Sequence, residues 1–301
     1  MYEQIASNKR KTALLVVGAL VFLGLIGYAI GVLFFSGPVG LVVALIVAGV
    51  LSLSSYFYGD RLVLASTRAR EVSAEDEPRL HNIVEGLAIA AGVPKPRIYV
   101  VPEQAPNAFA TGRDPKHSSL AVTQGLLDLM NRVELEGVIG HEMSHVLDRD
   151  ILLGTIVATL VGAAVLLSEF FMRSWMWGGF GGRRGNDSNG GAGELVIFAF
   201  GLMLLILAPL AGQIIKMSVS RNREYLADAE GALLTRYPPG LASALKKLQT
   251  APTAMSSANN ATAHLWLNQP SRVEGQGTSK MERLFSTHPP LEERIKRLEE
   301  M

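Results

Sequence analysis

Two histidines four residues apart, His141 and His145, bracket a glutamate in the run HEMSH. On a helix, residues at that spacing share one face a turn apart, so both imidazoles can turn toward one ion while Glu142 reaches the water beside it. A set of nitrogen and oxygen ligands with one open position suits Zn²⁺, and one zinc per chain is expected. A third protein ligand must then come from elsewhere. His81, His117, His264 and His288 qualify by residue type. Glu224, in the run REYLAD, is better placed, because it follows the last of four apolar spans as HEMSH precedes the third. If those two spans are antiparallel neighbours, the two ligand helices emerge side by side. Asp228 lies four residues after Glu224, on the same face, where it can accept a hydrogen bond from a ligating imidazole. A solvated face paired with Arg221 and Arg223 is the competing reading of these two carboxylates.

A metal of this kind polarises a carbonyl and activates water, and Glu142 is the group to move the proton. The tetrahedral oxyanion needs a donor. His288 stands in the Pro-stiffened run THPP just before a helix that carries Arg294. Out of that context, a histidine in a turn is ordinary surface.

The elements that must position these groups are partly apolar. The 301 residues are 49% hydrophobic and 18% charged, with a mean hydropathy of +0.25, too apolar for an ordinary soluble domain. Four spans, Ala13–Phe35, Val39–Tyr56, Ile151–Phe171 and Leu195–Met217, are each near the ~20 residues that cross a bilayer core. The competing reading of the last two, which contain Glu169 and Pro209 with Gln213, is a helical pair in a soluble core. The run Val133–Leu152 reads as one helix passing directly into the third span. Its site would then sit ~13 Å of helix from the bilayer, at the standard rise per residue. Lys9, Arg10, Lys11, Arg61, Arg68, Arg70, Arg149, Lys216, Arg221 and Arg223 flank the same side of an even number of crossings, which is the cytoplasmic side by the positive-inside rule. The net charge of +1 gives no reason to expect nucleic acid as a partner. The chain has no cysteine, so it can form no disulfide and uses no thiolate.

This organisation divides the chain into 1–58 (tail and spans 1–2), 59–150 (first part of a cytoplasmic domain, with the HExxH helix), 151–172 (span 3) and 173–193. The last is a Gly-rich extracytoplasmic loop to which no function is given. Residues 194–217 follow as span 4 and 218–301 as the second part of the domain. In the first part, Ala74–Gly92 reads as a helix capped by Ser73. Arg97–Val101, Asn107–Thr111 and Ser119–Thr123 read as strands, the last two a hairpin. In the second, Arg221–Arg236 reads as a helix stopped by Tyr237-Pro238-Pro239-Gly240, followed by helices Leu241–Gln249 and Leu291–Glu300. Thr250–Lys280, with Leu265-Trp266-Leu267 as its apolar anchor, reads as a lid or an irregular connector.

HEMSH at a membrane boundary, REYLAD after the next span, NAFATG upstream and THPP near the end resemble the HtpX-type membrane-bound zinc metalloproteases, relatives of the CAAX prenyl protease. The resemblance covers nearly the whole chain. It implies a mainly α fold with a small β-sheet, with four transmembrane helices and a zincin-like cytoplasmic metalloprotease domain in the bacterial inner membrane. It implies Glu224 as third ligand, and Asn107, Ala108 and Phe109 as an edge strand that binds substrate backbone. It places His288 and Arg294 near the oxyanion. The function implied is an endopeptidase acting on unfolded or misfolded membrane and cytoplasmic proteins in quality control under stress, with membrane lipids around it. The alternatives are a catalytically inactive metal-binding membrane scaffold and a transporter. The intact Glu142 disfavours the first, and spans with so few polar side chains disfavour the second.

Overall fold

The computed structural model describes residues 5–18, 21, 39–160, 162, 221–252, 254–255, 262–268, 270 and 289–301; residues 39–41 and 44 are described for backbone only. Most of the first span, about half of the third, the loop 173–193, the whole of Leu195–Met217, most of 269–288 and His288 itself lie outside the described residues.

The described chain is mainly helical around one small mixed sheet. Helix α1 is Val39–Ser66 and α2 is Pro78–Ala91; β1 is Arg70–Glu71, β2 Arg97–Val101, β3 Ala108–Asp114 and β4 His117–Thr123. Then come α3 Gln124–Leu129, α4 Arg132–Leu147, α5 Arg221–Thr235, α6 Pro238–Thr250 and α7 Leu291–Glu299. The sheet runs β1-β2-β4-β3, antiparallel except for the parallel pair β2 and β4, so β3 is an edge strand. Alternation along the strands divides the sheet between two cores. Ile98, Val100, Ala108, Leu120 and Val122 face α2, α4 and α6, while Tyr99, Val101, Phe109 and Ala121 face Val63 and Leu64 of α1.

The strands match their sequence-based bounds closely; the helices correct them. Helix α2 starts at Pro78, not Ala74. Ser73 caps a tight turn instead, its hydroxyl accepting from the Asp76 N–H (3.2 Å) while its own N–H donates to the Asp76 carboxylate (3.2 Å). Proline at the first helical position needs no donor partner. The same rule explains Pro238, which opens α6 three residues before the predicted start. The HEMSH helix also ends earlier than Val133–Leu152 implies. It stops at Leu147, Arg149 adopts φ 56°, and the chain resumes as the helix 150–160 after that turn. The straight ~13 Å path of helix from site to span, built on the standard rise, is therefore replaced by a bend.

Among the described residues no helix is both long and apolar enough to cross a membrane, so they do not confirm the four spans. Helix α1 nevertheless presents Val42, Val43, Ile46, Val50 and Leu53 outward, each more than half exposed.

Helix α4 is the centre of the domain and packs against α2, α5, α6 and β3. Its Leu135, Val138, Ile139, Met143 and Val146 are fully buried. A capping box starts it: the Asn131 side chain accepts from the Glu134 N–H (3.0 Å) and Glu134 accepts from the Asn131 N–H (2.9 Å). Glu134 also accepts from Ser243 (2.7 Å) and Lys247 (2.6 Å), which ties α6 to the same point. Burial alone would raise its pKa, but the bonds from Lys247, Asn131 and Ser243 hold it below the usual carboxylate value. A depressed folded-state pKa gives stability that is present above the unfolded value and lost as pH falls through the folded one. Glu134→Ala should therefore cost about 2 kcal/mol near neutral pH, with a shrinking difference from wild type below the ordinary glutamate pKa. Thermal melting of both proteins across acidic pH checks this.

Candidate metal centre

Helices α4 and α5 bring the candidate ligands together, and glycine lets them approach. A Cβ on Gly231 would lie 2.8 Å from the His141 backbone nitrogen, and one on Gly140 would lie 3.1 Å from the Gly231 carbonyl oxygen. The Ser144 hydroxyl bonds the Ala227 carbonyl (3.3 Å) across the same crossing. His141, His145 and Glu224 thus form a group whose ligand atoms all lie within 4.8 Å of one another.

Each imidazole is oriented from behind. His141 Nδ1 lies 2.9 Å from Asp228 Oδ1, and His145 Nδ1 lies 2.9 Å from Asp150 Oδ2. A carboxylate behind each ring accepts a hydrogen bond from Nδ1–H, which turns the Nε2 atoms inward. The two Nε2 atoms are 3.2 Å apart. Nitrogens each ~2.05 Å from one tetrahedral zinc stand about 3.3 Å apart, so the observed spacing fits that ion. Glu224 oxygens lie 3.8 Å and 4.0 Å from the two Nε2 atoms and complete a three-ligand set with one side open. Charge agrees with geometry. Among the described residues, the carboxyl groups of Glu142, Glu224, Asp150 and Asp228 are buried together with the guanidinium groups of Arg223 and Arg294, an environment rich in acidic groups that suits a cation.

These charges set the proton equilibria. Burial first, then the carboxylates of Glu224 and Asp150, push the Glu142 carboxyl up to about 7 against the opposing pull of His145 and Arg294. Burial alone would lower His145, but Asp150, Glu224 and Glu142 overcome it and raise the ring to about 10. His141 is lowered, by burial and by Arg294. Asp228 would rise on burial, yet Arg294 holds it at about 2 through bonds of 2.8 Å from Nε and 2.6 Å from Nη2.

A small cavity of about 50 Å³ opens beside Glu142 and the ligands, lined also by Ala110, Gly154 and residues 264, 265 and 267. That is room for an ion and a few waters, since one water needs roughly 10–15 Å³ by such a measure.

A model of Peptidase family M48 matches residues 74–301, well over half of the chain. The chain belongs to peptidase family M48. Proteins named Protease HtpX homolog are similar to it along its whole length. The one from Caldanaerobacter subterraneus subsp. tengcongensis is 47% identical over 301 residues, covering 100% of this chain and 98% of its own. The one from Lactobacillus helveticus is 44% identical and covered completely in both directions. The crystal structure of S. mikatae Ste24p shares the fold, with a TM-score of 0.50 over 99% of this chain and 67% of that one, at 18% identity.

In this M48 chain the structure gathers His141, Glu142, His145, Glu224 and Asp228 as the sequence suggests. Of the other described histidines, two stand away from this cluster. His81 bonds the Val72 carbonyl (3.0 Å) and His117 pairs with Asp114 in the β3–β4 turn. His264 lines the cavity, with a ring nitrogen 3.2 Å from the Gly154 carbonyl. Arg294 is fully buried behind the candidate ligands; its Nη1 has no hydrogen-bond partner among the described residues and stands 3.9 Å from Glu224 Oε2. Asn107 and Ala108 do lie along the sheet edge, but residues 267 and 268 already bond them. Sequence reasoning missed Asp150, which reaches His145 only because the chain turns at 148–149, and Arg223, 3.4 Å from Asp150.

Two substitutions test the arrangement. Asp150→Ala should weaken zinc binding about 10–100-fold, read by competition against a chromophoric chelator. Gly231→Ala, which forces α5 away from His141, should destabilise the protein by about 1–3 kcal/mol and lower its zinc affinity as well.

Proposed function

We propose that this chain is a zinc endopeptidase of the membrane, cutting unfolded or misfolded proteins. The observation that carries the reading is the pair of inward-facing Nε2 atoms, 3.2 Å apart, with Glu142 in the same cavity. Zinc held by His141, His145 and Glu224 would supply a Lewis acid that polarises a carbonyl and makes water acidic. The chain's own residues do the rest. Glu142 accepts a proton from the attacking water and passes it to the departing amide nitrogen, so that N–H forms as C–N breaks. Asp228 and Asp150 fix the imidazoles, and Arg294 fixes Asp228. Arg294 Nη1 and His288 are the expected oxyanion donors. Ala110, at the edge of the sheet, turns its main-chain groups toward the cavity, where an extended peptide can add as a strand.

The membrane assignment is part of the proposal. It rests on the four apolar spans of the sequence and on the outward apolar side chains of α1. We place both termini and both parts of the site on the cytoplasmic side, by the distribution of Lys and Arg, and place the activity in membrane-protein quality control under stress, as the HtpX-type resemblance implies.

Purified protein should bind one zinc and digest unfolded casein, and a chelator should stop the digestion until zinc is restored. Glu142→Gln should keep the metal and lose about 10²–10⁴-fold in turnover. Glu224→Ala should lose metal. Full zinc occupancy in Glu224→Ala would exclude it as a ligand, and undiminished turnover in Glu142→Gln would end the mechanism. A reporter enzyme active only outside the cytoplasm should stay silent when fused after Met301; activity there would reverse the topology.

A further inference from the structure

The outer edge of β3 is not bare. Ala108, Ala110 and Gly112 turn their main-chain groups outward by the alternation of an antiparallel pair. At Gly112 the N–H bonds the Thr155 hydroxyl (3.2 Å). At Ala108 the carbonyl accepts from the Leu267 N–H (2.9 Å). Beside it, the Asn107 carboxamide makes a two-way clamp on the main chain of one residue, accepting from the Asn268 N–H (3.0 Å) and donating to the Asn268 carbonyl (2.6 Å). Such a clamp reads main chain and not side chains, so any extended peptide satisfies it.

The same short segment reaches the metal cavity. Residues 264, 265 and 267 form one wall of it, opposite Glu142 and the ligands. Trp266 points to the other side of the sheet, where it is fully buried with its ring edge-on to Phe109 at 4.7 Å between centroids. Leu265 ends a single 3-10 turn and Trp266 is extended after it; the main-chain bond from Leu267 to Ala108, with Trp266 and Leu267 sent to opposite cores, resembles the start of an added strand. The fit is imperfect, because the indole Nε1 is buried without a hydrogen-bond partner among the described residues. An unsatisfied donor costs stability that water would return on release.

We propose that residues 265–268 occupy the place along β3 that an extended peptide substrate takes, so that this strap and the substrate compete for Asn107 and Ala108. The inference rests on the peptidase reading of the same site. A peptide that pairs at Ala110 and continues past Ala108 meets Leu267 and Asn268 and must displace them. The pocket beside Phe109, filled here by an aromatic ring, then favours peptides that offer a large aromatic or apolar side chain at that position.

The chain has no cysteine, which makes a clean lock available. Ala108 and Leu267 share a main-chain bond and belong to the same apolar core, so Ala108→Cys with Leu267→Cys can form a disulfide that fixes the strap. The measurement is binding of a fluorescein-labelled, unstructured, tryptophan-containing peptide to the zinc-loaded full chain in a Glu142→Gln background. Binding should be lost in the oxidised form and return on reduction. Leu267→Pro removes the N–H that holds Ala108 and suits the extended backbone of Trp266 before it (φ −75°, ψ 140°). If the strap is seated nine-tenths of the time, this variant should bind the peptide about tenfold more tightly. Equal affinity in the oxidised and reduced forms, or no tightening in Leu267→Pro, overturns the proposal. Casein digestion by the wild type tests the peptidase reading separately, so the two can fail independently.

Discussion

Two imidazole Nε2 atoms stand 3.2 Å apart, a contact that needs a proton or a positive ion between them, and the rest of this domain is arranged to hold them there. Asp228 and Asp150 accept hydrogen bonds at the outer Nδ1 atoms, so each ring keeps its Nε2 turned toward the other. Glu142 and Glu224 add negative charge to the same space. A proton can fill it, in keeping with the raised pKa of His145, and a divalent ion bound there would meet the same demand. The burial of these groups makes the demand strong, because charges in a poorly solvated interior are not screened by water.

That demand has to be met by backbone placement, since a ligand set loosened by an ångström loses its geometry. Helix α4 supplies two of the candidate ligands and α5 the third, so the distance between two helix axes sets the site. Glycines 140 and 231 remove the side chains that would otherwise set that distance. Helix α7 then adds Arg294, whose two bonds to Asp228 fix the residue that fixes His141. The capping box at Asn131 and Glu134 registers the start of α4, and its links to Ser243 and Lys247 carry α6 along with it. Ligand, orienting carboxylate and buried arginine form one chain of contacts across α4, α5 and α7.

How much of this could be read beforehand divides by range. Features set by short spacing were legible: the HEMSH face, the Glu224 and Asp228 face, and the strand runs, where β2 matches Arg97–Val101 residue for residue. Helix starts were less so. A proline reads equally as a stop or as a first residue, and tertiary packing chose the second at Pro78 and Pro238. Asp150 was hidden for a different reason. On an unbroken helix a residue five beyond His145 points away from it, and only the left-handed Arg149, a conformation arginine rarely adopts, brings it back. The glycine spacing at 137 and 140 was a visible signal for close helix approach that residue chemistry overshadowed.

The strap over β3 was legible only as composition, an apolar triplet in a polar segment, yet it answers two needs of the fold at once. An open sheet edge beside a groove exposes main-chain donors and acceptors to any other chain. A charged cavity open to bulk water loses the low dielectric on which its electrostatics depend. Both needs arise at the same place, because Ala110 belongs at once to the edge and to the cavity wall. A segment that pairs with Ala108 and Asn107 while lining the cavity with residues 265 and 267 meets them together. Whatever pairs with the edge in its place must close the cavity as well. An extended peptide can do so, whereas a folded surface has no free main chain to offer.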